Sequence, residues 1–288
     1  KGSKEFIVAV IDTGIDYNHE DLNLNVWRNP KPGPKNDLVG YDFVHDDGLP
    51  FDDQGHGTHT SGTVGAVGSN GVGVSGVNQR VSIMALKFLN KDGSGSLTDA
   101  VKAIDYAVAH GAKVLSNSWG CDGCDVQAIK DAIVRAGEKG VLFVAAAGNG
   151  GQDGVGDDND SSPKKGFPAA YALENMLGVA ATDSNDELAS FSNFGKKTTH
   201  LAAPGVEVYS TLPGNKYKKY SGTSMACPHV AGAAAFVWAK HPKWTMNQVK
   251  QALIDSVDKV PALASKTVAG GRLNVLKAMN MKSSQLSR

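Results

Sequence analysis

The sequence predicts an α/β fold in three layers, with a mostly parallel central sheet between two layers of helices. Continuous apolar, β-prone runs recur along the chain without alternating polar residues, which is typical of strands buried on both faces. Segments with helical periodicity lie between these runs, and this alternation of strand and helix indicates a parallel sheet. Of the 288 residues, 41% are hydrophobic and 20% are charged, as in a protein with a large core.

The apolar runs predict five strands, and helical spacing predicts three helices. The strands are expected at Phe6–Ile11, Val81–Leu86, Lys113–Ser116, Val141–Ala146 and Met176–Ala180. The helices are expected from Leu97, after a cap at Ser96, to Gly111, from Val126 to Gly140, and from Met225 to Ala239. Asp12, Asn117 and Asn149 come at the ends of strands, at the sheet edge where such folds place their sites.

The composition favours one domain over residues 1–288 and excludes several classes of partner. Lysine plus arginine equal aspartate plus glutamate, 29 against 29, so the charge gives no reason to expect nucleic acid or an anionic membrane as a partner. The apolar segments are too short to span a bilayer, and Lys1–Lys4 does not begin a signal peptide. We therefore expect a processed, mature domain that is a monomer.

The three cysteines permit at most one internal disulfide. Cys121 and Cys124 lie in a Cys-Asp-Gly-Cys turn, which is compatible either with a tight disulfide or with two free thiols. Two thiols cannot complete a structural zinc site. Cys227 lies on the apolar C-terminal helix and is expected to be a packed small residue.

The run Gly222-Thr223-Ser224-Met225-Ala226 places a serine hydroxyl at the start of an almost entirely apolar helix. By itself this pattern is more typical of a helix N-cap than of a nucleophile. Helix N-termini also carry unpaired N–H groups that favour developing negative charge, so a catalytic serine is the alternative interpretation.

Two further residues favour catalysis. Asp12 ends the first strand, and His56 lies in the glycine-flanked run Gly55-His56-Gly57. A serine hydroxyl is a weak nucleophile until a base accepts its proton, and imidazole titrates near neutral pH. A buried carboxylate then fixes the imidazole tautomer. Asp12, His56 and Ser224 together predict a catalytic triad.

With these motifs the chain resembles the subtilisin-type serine endopeptidases, or subtilases, whose triad follows the order Asp, His, Ser. The resemblance runs from Phe6 to about Ala278 and implies a subtilisin-like fold with Asp12, His56 and Ser224 as the triad. Ala145–Gly150 is similar to the family's oxyanion-hole segment, which implies that Asn149 and the backbone N–H of Ser224 hold the oxyanion. His59 is expected to pack nearby rather than to act as the base.

The resemblance also implies a peptide held as an added strand between two edge segments. The implied substrate-binding residues are Gly93, Ser94, Gly95, Leu97, Ser118, Trp119, Gly120, Ala147, Gly148 and Gly166. Leu97 would line a pocket four residues before the cut. Ser118–Gly120 and Ala147–Asn149 would wall the pocket for the residue directly before the cut, with Gly166 as its floor. Trp119 is equally compatible with a core position.

A glycine floor predicts an open pocket for large apolar side chains. The run 148–151 also resembles the kexin-like branch, which prefers basic residues, and the acidic loop Asp153–Asp160 lies between wall and floor. A basic preference is therefore the alternative, although the loop is also compatible with simple solvation.

The resemblance implies calcium as the cofactor. Calcium binds hard oxygen ligands, which carboxylates, side-chain amides and backbone carbonyls supply. One site would use Asp21 with Gly68, Asn70, Val72 and Val74. A second site would use Asp42 and Asp47 with Leu49 and Phe51. His45 stands where relatives have a further carboxylate in that second site.

The resemblance thus implies a secreted serine endopeptidase of broad specificity with a large apolar residue before the cut, which acts on proteins and peptides and is assisted by an N-terminal pro-segment before maturation. One alternative is a catalytically silent, calcium-stabilised binding module. Another is an esterase, although no Gly-x-Ser-x-Gly elbow surrounds Ser224.

Overall fold

The computed structural model describes residues 2–286, so Lys1, Ser287 and Arg288 of the expected domain lie outside the described residues. The strands are β1 Ile7–Asp12, β2 Gly40–Asp42, β3 Ser82–Lys87, β4 Val114–Asn117, β5 Cys121–Asp122, β6 Leu142–Ala146, β7 Gly166–Phe167, β8 Met176–Thr182, β9 Leu201–Pro204, β10 Val208–Leu212, β11 Lys216–Tyr220, β12 Asp258–Lys259 and β13 Gly271–Arg272. The helices are α1 His56–Gly65, α2 Leu97–Ala109, α3 Gln127–Glu138, α4 Thr223–Lys240, α5 Met246–Asp255 and α6 Val275–Met279.

The central sheet is mostly parallel, which confirms the predicted fold class. Among the described residues, nine strands form it in the order β12-β13-β9-β8-β6-β4-β1-β3-β2. Every neighbouring pair is parallel except β12 with β13. Later strands lie on both sides of β1, so the strand order reverses there and leaves a crevice at the carboxyl ends.

Helices cover both faces of this sheet. In β1, Val8 and Val10 pack on one face, and Ala9 and Ile11 pack on the other, because successive strand residues point to opposite sides. Helices α4 and α5 bury their apolar residues on the first face, and α2 and α3 on the second. The three predicted layers are therefore present.

The five predicted strands and three predicted helices are all present, with strand ends within two residues of those expected. The predicted cap is confirmed as well, since Ser96 Oγ accepts from the N–H of Asp99 at 3.0 Å. No helix among the described residues combines the length and apolarity needed to cross a membrane.

Candidate active site

The end of β1 and the start of α1 bring a carboxylate and an imidazole together. Asp12, the last residue of β1, is 1% exposed, and His56 is the first residue of α1. His56 Nδ1 lies 2.8 Å from Oδ1 and 3.0 Å from Oδ2 of Asp12. The N–H of Thr13 also donates to Asp12 Oδ1, at 2.7 Å. With Nδ1 held by the carboxylate, Nε2 is the nitrogen that can accept a proton.

Opposing effects act on the pKa of His56. Burial lowers this pKa, but the negative charge and hydrogen bond of Asp12 raise it by more, so it lies above its ordinary value of 6.5. The imidazole is therefore a stronger base than it would be in water.

A buried carboxylate that the sequence analysis did not select fixes the start of α1. Asp52 accepts hydrogen bonds from the N–H of Thr58 and the hydroxyl of Thr13, both at 2.8 Å. Thr13 Oγ1 in turn accepts from the N–H of Gly57 at 2.8 Å. Since Thr13 follows β1 directly, this network sets the position of α1 relative to β1.

Lys87, also missed from the sequence, joins three segments beside the site. Its Nζ donates to the carbonyls of Thr13 at 2.7 Å and Leu89 at 2.9 Å, and lies 2.6 Å from Asp53 Oδ1. The side chain is 1% exposed, and an ammonium so buried needs such full pairing. The available signal was a single charge inside the otherwise apolar run 81–89.

Ser224 is tied to the end of β4. It is the second residue of α4, whose N-cap is Gly222, so its side chain does not cap the helix. Pro228, four residues on, has no N–H to donate to the Ser224 carbonyl. The hydroxyl of Ser118 donates to that carbonyl instead, at 2.8 Å, and the hydroxyl of Ser224 donates to the Ser118 carbonyl at 3.1 Å.

Asn149, three residues beyond β6, is oriented by Thr223. Asn149 Oδ1 accepts from both the N–H and the hydroxyl of Thr223, each at 2.9 Å. Asn149 Nδ2 then has no protein acceptor within residues 2–286. The N–H of Ser224 lies in the first turn of α4, where the backbone provides no intrahelical acceptor. Two hydrogen-bond donors are thus free in one pocket, which both residues line.

Two adjoining cavities receive most of the residues predicted to bind substrate. A groove of about 440 Å³ is lined by His56 and by Gly93, Ser94, Gly95, Leu97, Ser118, Trp119 and Gly120. A pocket of about 250 Å³ is lined by Asn149 and Ser224 and by Trp119, Gly120, Gly148 and Gly166.

Ala147 and Trp119 differ from the other residues predicted to bind substrate. Ala147 does not line the pocket, because it is fully buried with its carbonyl held by Asn159 Nδ2 at 2.8 Å, and Ala146 lines the wall in its place. Trp119 lines both cavities and also packs against Phe88, with ring centroids 5.0 Å apart, so its two proposed roles coexist.

Comparison of the sequence with known proteins shows which family this chain belongs to. The model described as Subtilase family matches residues 3–273. The chain belongs to the subtilase family. It is 41% identical over 260 residues to a thermophilic serine proteinase of Bacillus sp. (strain AK1), covering 90% of this chain and 58% of that protein.

Other relatives match over different shares of their length. The chain is 41% identical over 246 residues to subtilisin DY of Bacillus licheniformis, covering 85% of this chain and 81% of that protein. It is 37% identical over 272 residues to thermitase of Thermoactinomyces vulgaris, covering 94% and 88%. This subtilase chain thus spans 58% of the length of several Bacillus-type relatives and most of the length of others.

Around Asp21, the structure brings together part of the first predicted calcium site of this subtilase. Asp21 is fully buried, and no lysine, arginine or histidine within residues 2–286 forms an ion pair with it. Asn70 Nδ2 donates to its Oδ1 at 2.7 Å and the N–H of Val74 to its Oδ2 at 2.8 Å. Val72 contacts Asn70 Oδ1, and Gly68 belongs to the same loop. Within residues 2–286, Asp21 is thus a buried carboxylate without a paired cation, and carboxylate oxygens are among the hard ligands that calcium prefers.

The residues of the second predicted calcium site do not fit a cation. His45 Nδ1 lies 2.8 Å from Asp42 Oδ2, and its N–H donates to Oδ1 at 3.0 Å. The hydrogen bond and charge of Asp42 raise the pKa of His45. Asp47 Oδ1 accepts from the N–H of Leu49, whose carbonyl accepts from Phe51. The imidazole therefore occupies the side of Asp42 that calcium would need.

Cys227 and His59 pack as expected, whereas the sequence left the state of Cys121 and Cys124 open. Cys121 and Cys124 are paired, with Cα atoms 5.8 Å apart. Cys227 is fully buried, and burial raises its pKa to about 12, which keeps the thiol neutral. His59 Nε2 lies 3.0 Å from the Lys218 carbonyl, and burial lowers its pKa to about 4.

Proposed function

We propose that this subtilase is a serine endopeptidase that hydrolyses peptide bonds through an acyl-enzyme. The observation that supports this most is the 2.8 Å contact between His56 and the buried Asp12. His56 lines the larger groove, and Ser224 and Asn149 line the adjoining pocket. These four side chains come from four separate segments, so their convergence is a property of the fold rather than of one motif.

The acylation step follows from this arrangement. The Ser224 hydroxyl turns from the Ser118 carbonyl toward the imidazole, and His56 Nε2 takes its proton as Oγ attacks the scissile carbonyl carbon. Asp12 holds the tautomer with Nε2 free and stabilises the imidazolium. The tetrahedral intermediate then loses its C–N bond, and His56 gives the proton to the leaving amine.

Charge that develops on the carbonyl oxygen is held by Asn149 Nδ2 and the Ser224 N–H. One such preorganised donor is worth roughly 3–4 kcal/mol, a value measured on a subtilisin. Water then attacks the acyl carbon, with His56 taking its proton, and the proton returns to Ser224 Oγ as the acid product leaves.

The two cavities suit a peptide bound as an added strand. Gly93–Gly95 and Ser118–Gly120 form the two edges of the larger groove. Gly93, Gly95 and Gly120 carry no side chain, which leaves room at these edges for the incoming strand and its main-chain hydrogen bonds. The smaller pocket takes the large side chain of the substrate residue before the cut. Ala146 and Phe167 provide apolar surface along the stem of that side chain.

Labelling with a serine-directed fluorophosphonate tests the nucleophile. We expect one labelled residue, Ser224, in the wild-type chain and no labelled residue in Ser224→Ala, together with peptide hydrolysis by the wild type alone. A catalytically silent binding module would show neither labelling nor hydrolysis. An esterase would be labelled and cleave esters but leave peptides intact, which would also overturn the proposal.

We further propose that one calcium ion binds at Asp21, that Cys121 and Cys124 form a disulfide, and that the protein is secreted as a monomer after removal of a pro-segment. The cysteine pairing supports secretion, because disulfides persist in oxidising compartments. The proposal of a pro-segment is based on the family resemblance.

Mass spectrometry of alkylated protein with and without reduction tests the disulfide. Alkylated thiols at both Cys121 and Cys124 before reduction would contradict it.

A further inference from the structure

A carboxylate lies in the pocket assigned to the side chain before the cut. Asp122 lies on the short strand β5, directly opposite Gly166 of β7, and both residues line the 250 Å³ pocket together with Ser224 and Asn149. Among the described residues that line this pocket, Asp122 alone carries a charge. The acidic loop that suggested a basic preference from the sequence contributes no lining residue from Asp153 to Asp160.

The Asp122 carboxylate has no partner of its own. Within residues 2–286 its side chain forms no hydrogen bond and no ion pair. Burial raises its pKa, and the negative charge of Asp157 raises it further, with Lys164 acting weakly in the opposite direction. Asp122 is an exposed residue, so a cation that enters the pocket can reach its carboxylate without displacing another partner.

Space beside the carboxylate is open, and the backbone turn that carries it is paired. Gly151 also lines the pocket, and a side chain there would begin 3.1 Å from Asp122 Oδ2, so only the absence of one leaves the carboxylate accessible. Cys121 and Cys124 are paired across the turn that carries Asp122. Together with the β5–β7 pairing, this closes the turn and places the backbone of Asp122 beside the pocket floor at Gly166.

We propose that Asp122 is a specificity residue that selects substrates with lysine or arginine directly before the cut. The inference rests on the proposed peptidase function and takes the basic preference that the sequence left as the alternative. The methylene stem of the substrate residue contacts the apolar surface of Trp119 and Phe167, and its cation pairs with Asp122. Acidic residues are rejected by both Asp122 and Asp157, because like charges at short range repel.

Peptides that differ only in the residue before the cut test this proposal. We expect the wild type to cleave the lysine and arginine peptides with a higher kcat/KM than the phenylalanine and leucine peptides, and to cleave the glutamate peptide least. Asp122→Asn should lower kcat/KM for the lysine and arginine peptides by about tenfold or more, the size typical of losing a close charge pair. The phenylalanine peptide should change by less than about threefold, because its side chain makes no use of the charge.

Asp125→Asn is the matched control, since Asp125 is an exposed aspartate of the same segment that does not line the pocket. It should leave the ranking of peptides unchanged. A wild-type preference for phenylalanine or leucine, or an Asp122→Asn variant that slows every peptide in the same proportion, would overturn the proposal. Fluorophosphonate labelling, which needs no side chain in the pocket, separates this failure from that of the peptidase function and checks that the variants are folded.

Discussion

At the residue scale, His56 makes the proposed reaction sensitive to pH, because a general base works only while it is unprotonated. Burial lowers its pKa and Asp12 raises it by more, so the net value exceeds 6.5. Protonated His56 therefore accumulates already as the pH falls toward 6.5. We expect the acid limb of kcat/KM against pH to have its midpoint above 6.5 in the wild type.

Asp12→Asn is the control for this profile. Removing the carboxylate charge should move the acid limb to lower pH and, because the imidazole tautomer is no longer fixed, lower kcat by about 10⁴. A wild-type midpoint below 6, or a variant whose limb does not move, would contradict the role given to the Asp12 charge.

Asn149 permits a second residue-scale prediction. Asn149→Leu should lower kcat by about 10²–10³, the size known for this donor in a subtilisin, while KM changes little, because Nδ2 acts on charge that exists only in the transition state. Thr223→Val is its matched control, since it removes one hydrogen bond to Asn149 Oδ1 and leaves Nδ2 in place. If the valine variant loses as much activity as the leucine variant, or if kcat is unchanged in the latter, Asn149 is not an oxyanion donor.

At the element scale, the strands β1, β3, β4, β6 and β8 and the helices α2, α3 and α4 could be predicted, because each carries a continuous or regularly spaced set of apolar residues. Helix α1 could not. Its ten residues include three glycines and three threonines, which have low helix propensity, and nine of the ten are buried. A side chain at Gly62 would begin 2.2 Å from Thr211 Oγ1, so α1 exists because the neighbouring hairpin strand β10 packs directly on its backbone.

The residues of the site likewise divide into those that the sequence predicts and those that it does not. Asp12, His56, Asn149 and Ser224 stand in motifs that a single sequence reveals, at the ends of elements it predicts. Asp52, Lys87 and Asp122 do not, because their importance depends on partners up to 74 positions away or on a pocket formed by several segments. The sequence already set the second calcium site apart, because His45 stands where relatives have a carboxylate, and the structure shows what that residue does, namely contact Asp42.

The loop around Asp21 gives an element-scale prediction about metal removal. Calcium that binds only the folded chain stabilises it by RT ln(1 + [L]/Kd), about 2.7 kcal/mol at a hundredfold excess over Kd. In the inactive Ser224→Ala background, calcium should raise Tm and a chelator should lower it. Asp21→Asn should abolish that difference, whereas Asp42→Asn should retain it. Retention in Asp21→Asn, or loss only in Asp42→Asn, would assign calcium to the other site.

At the scale of the whole molecule, the parallel sheet brings the proposed catalytic residues together from positions 12, 56, 149 and 224, so activity requires the complete fold. The same packing buries histidines far from that edge. His200 is 7% exposed, and its Nδ1 accepts a hydrogen bond from the N–H of Gly178 at 3.0 Å. Protonation of Nδ1 would break this bond within the sheet, which ties the stability of the fold to pH.

Burial lowers the pKa of His200 to about 3, and the charge of Lys250 contributes in the same direction. In the unfolded chain the pKa is about 6.5, so between these values the unfolded state binds a proton that the folded state does not. Above pH 6.5 this difference in proton binding does not affect the free energy of unfolding. Below pH 6.5 it lowers that free energy progressively, by about 1.4 kcal/mol per pH unit at most for one group.

We expect His200→Asn, whose Oδ1 can accept from the N–H of Gly178 without titrating, to flatten the decline in stability at low pH. Urea unfolding of the Ser224→Ala protein with and without His200→Asn, from pH 8 to pH 4, measures it. The two proteins should differ in slope below pH 6.5 and run parallel above it, and equal slopes throughout would show that His200 is not the group whose protonation destabilises the fold.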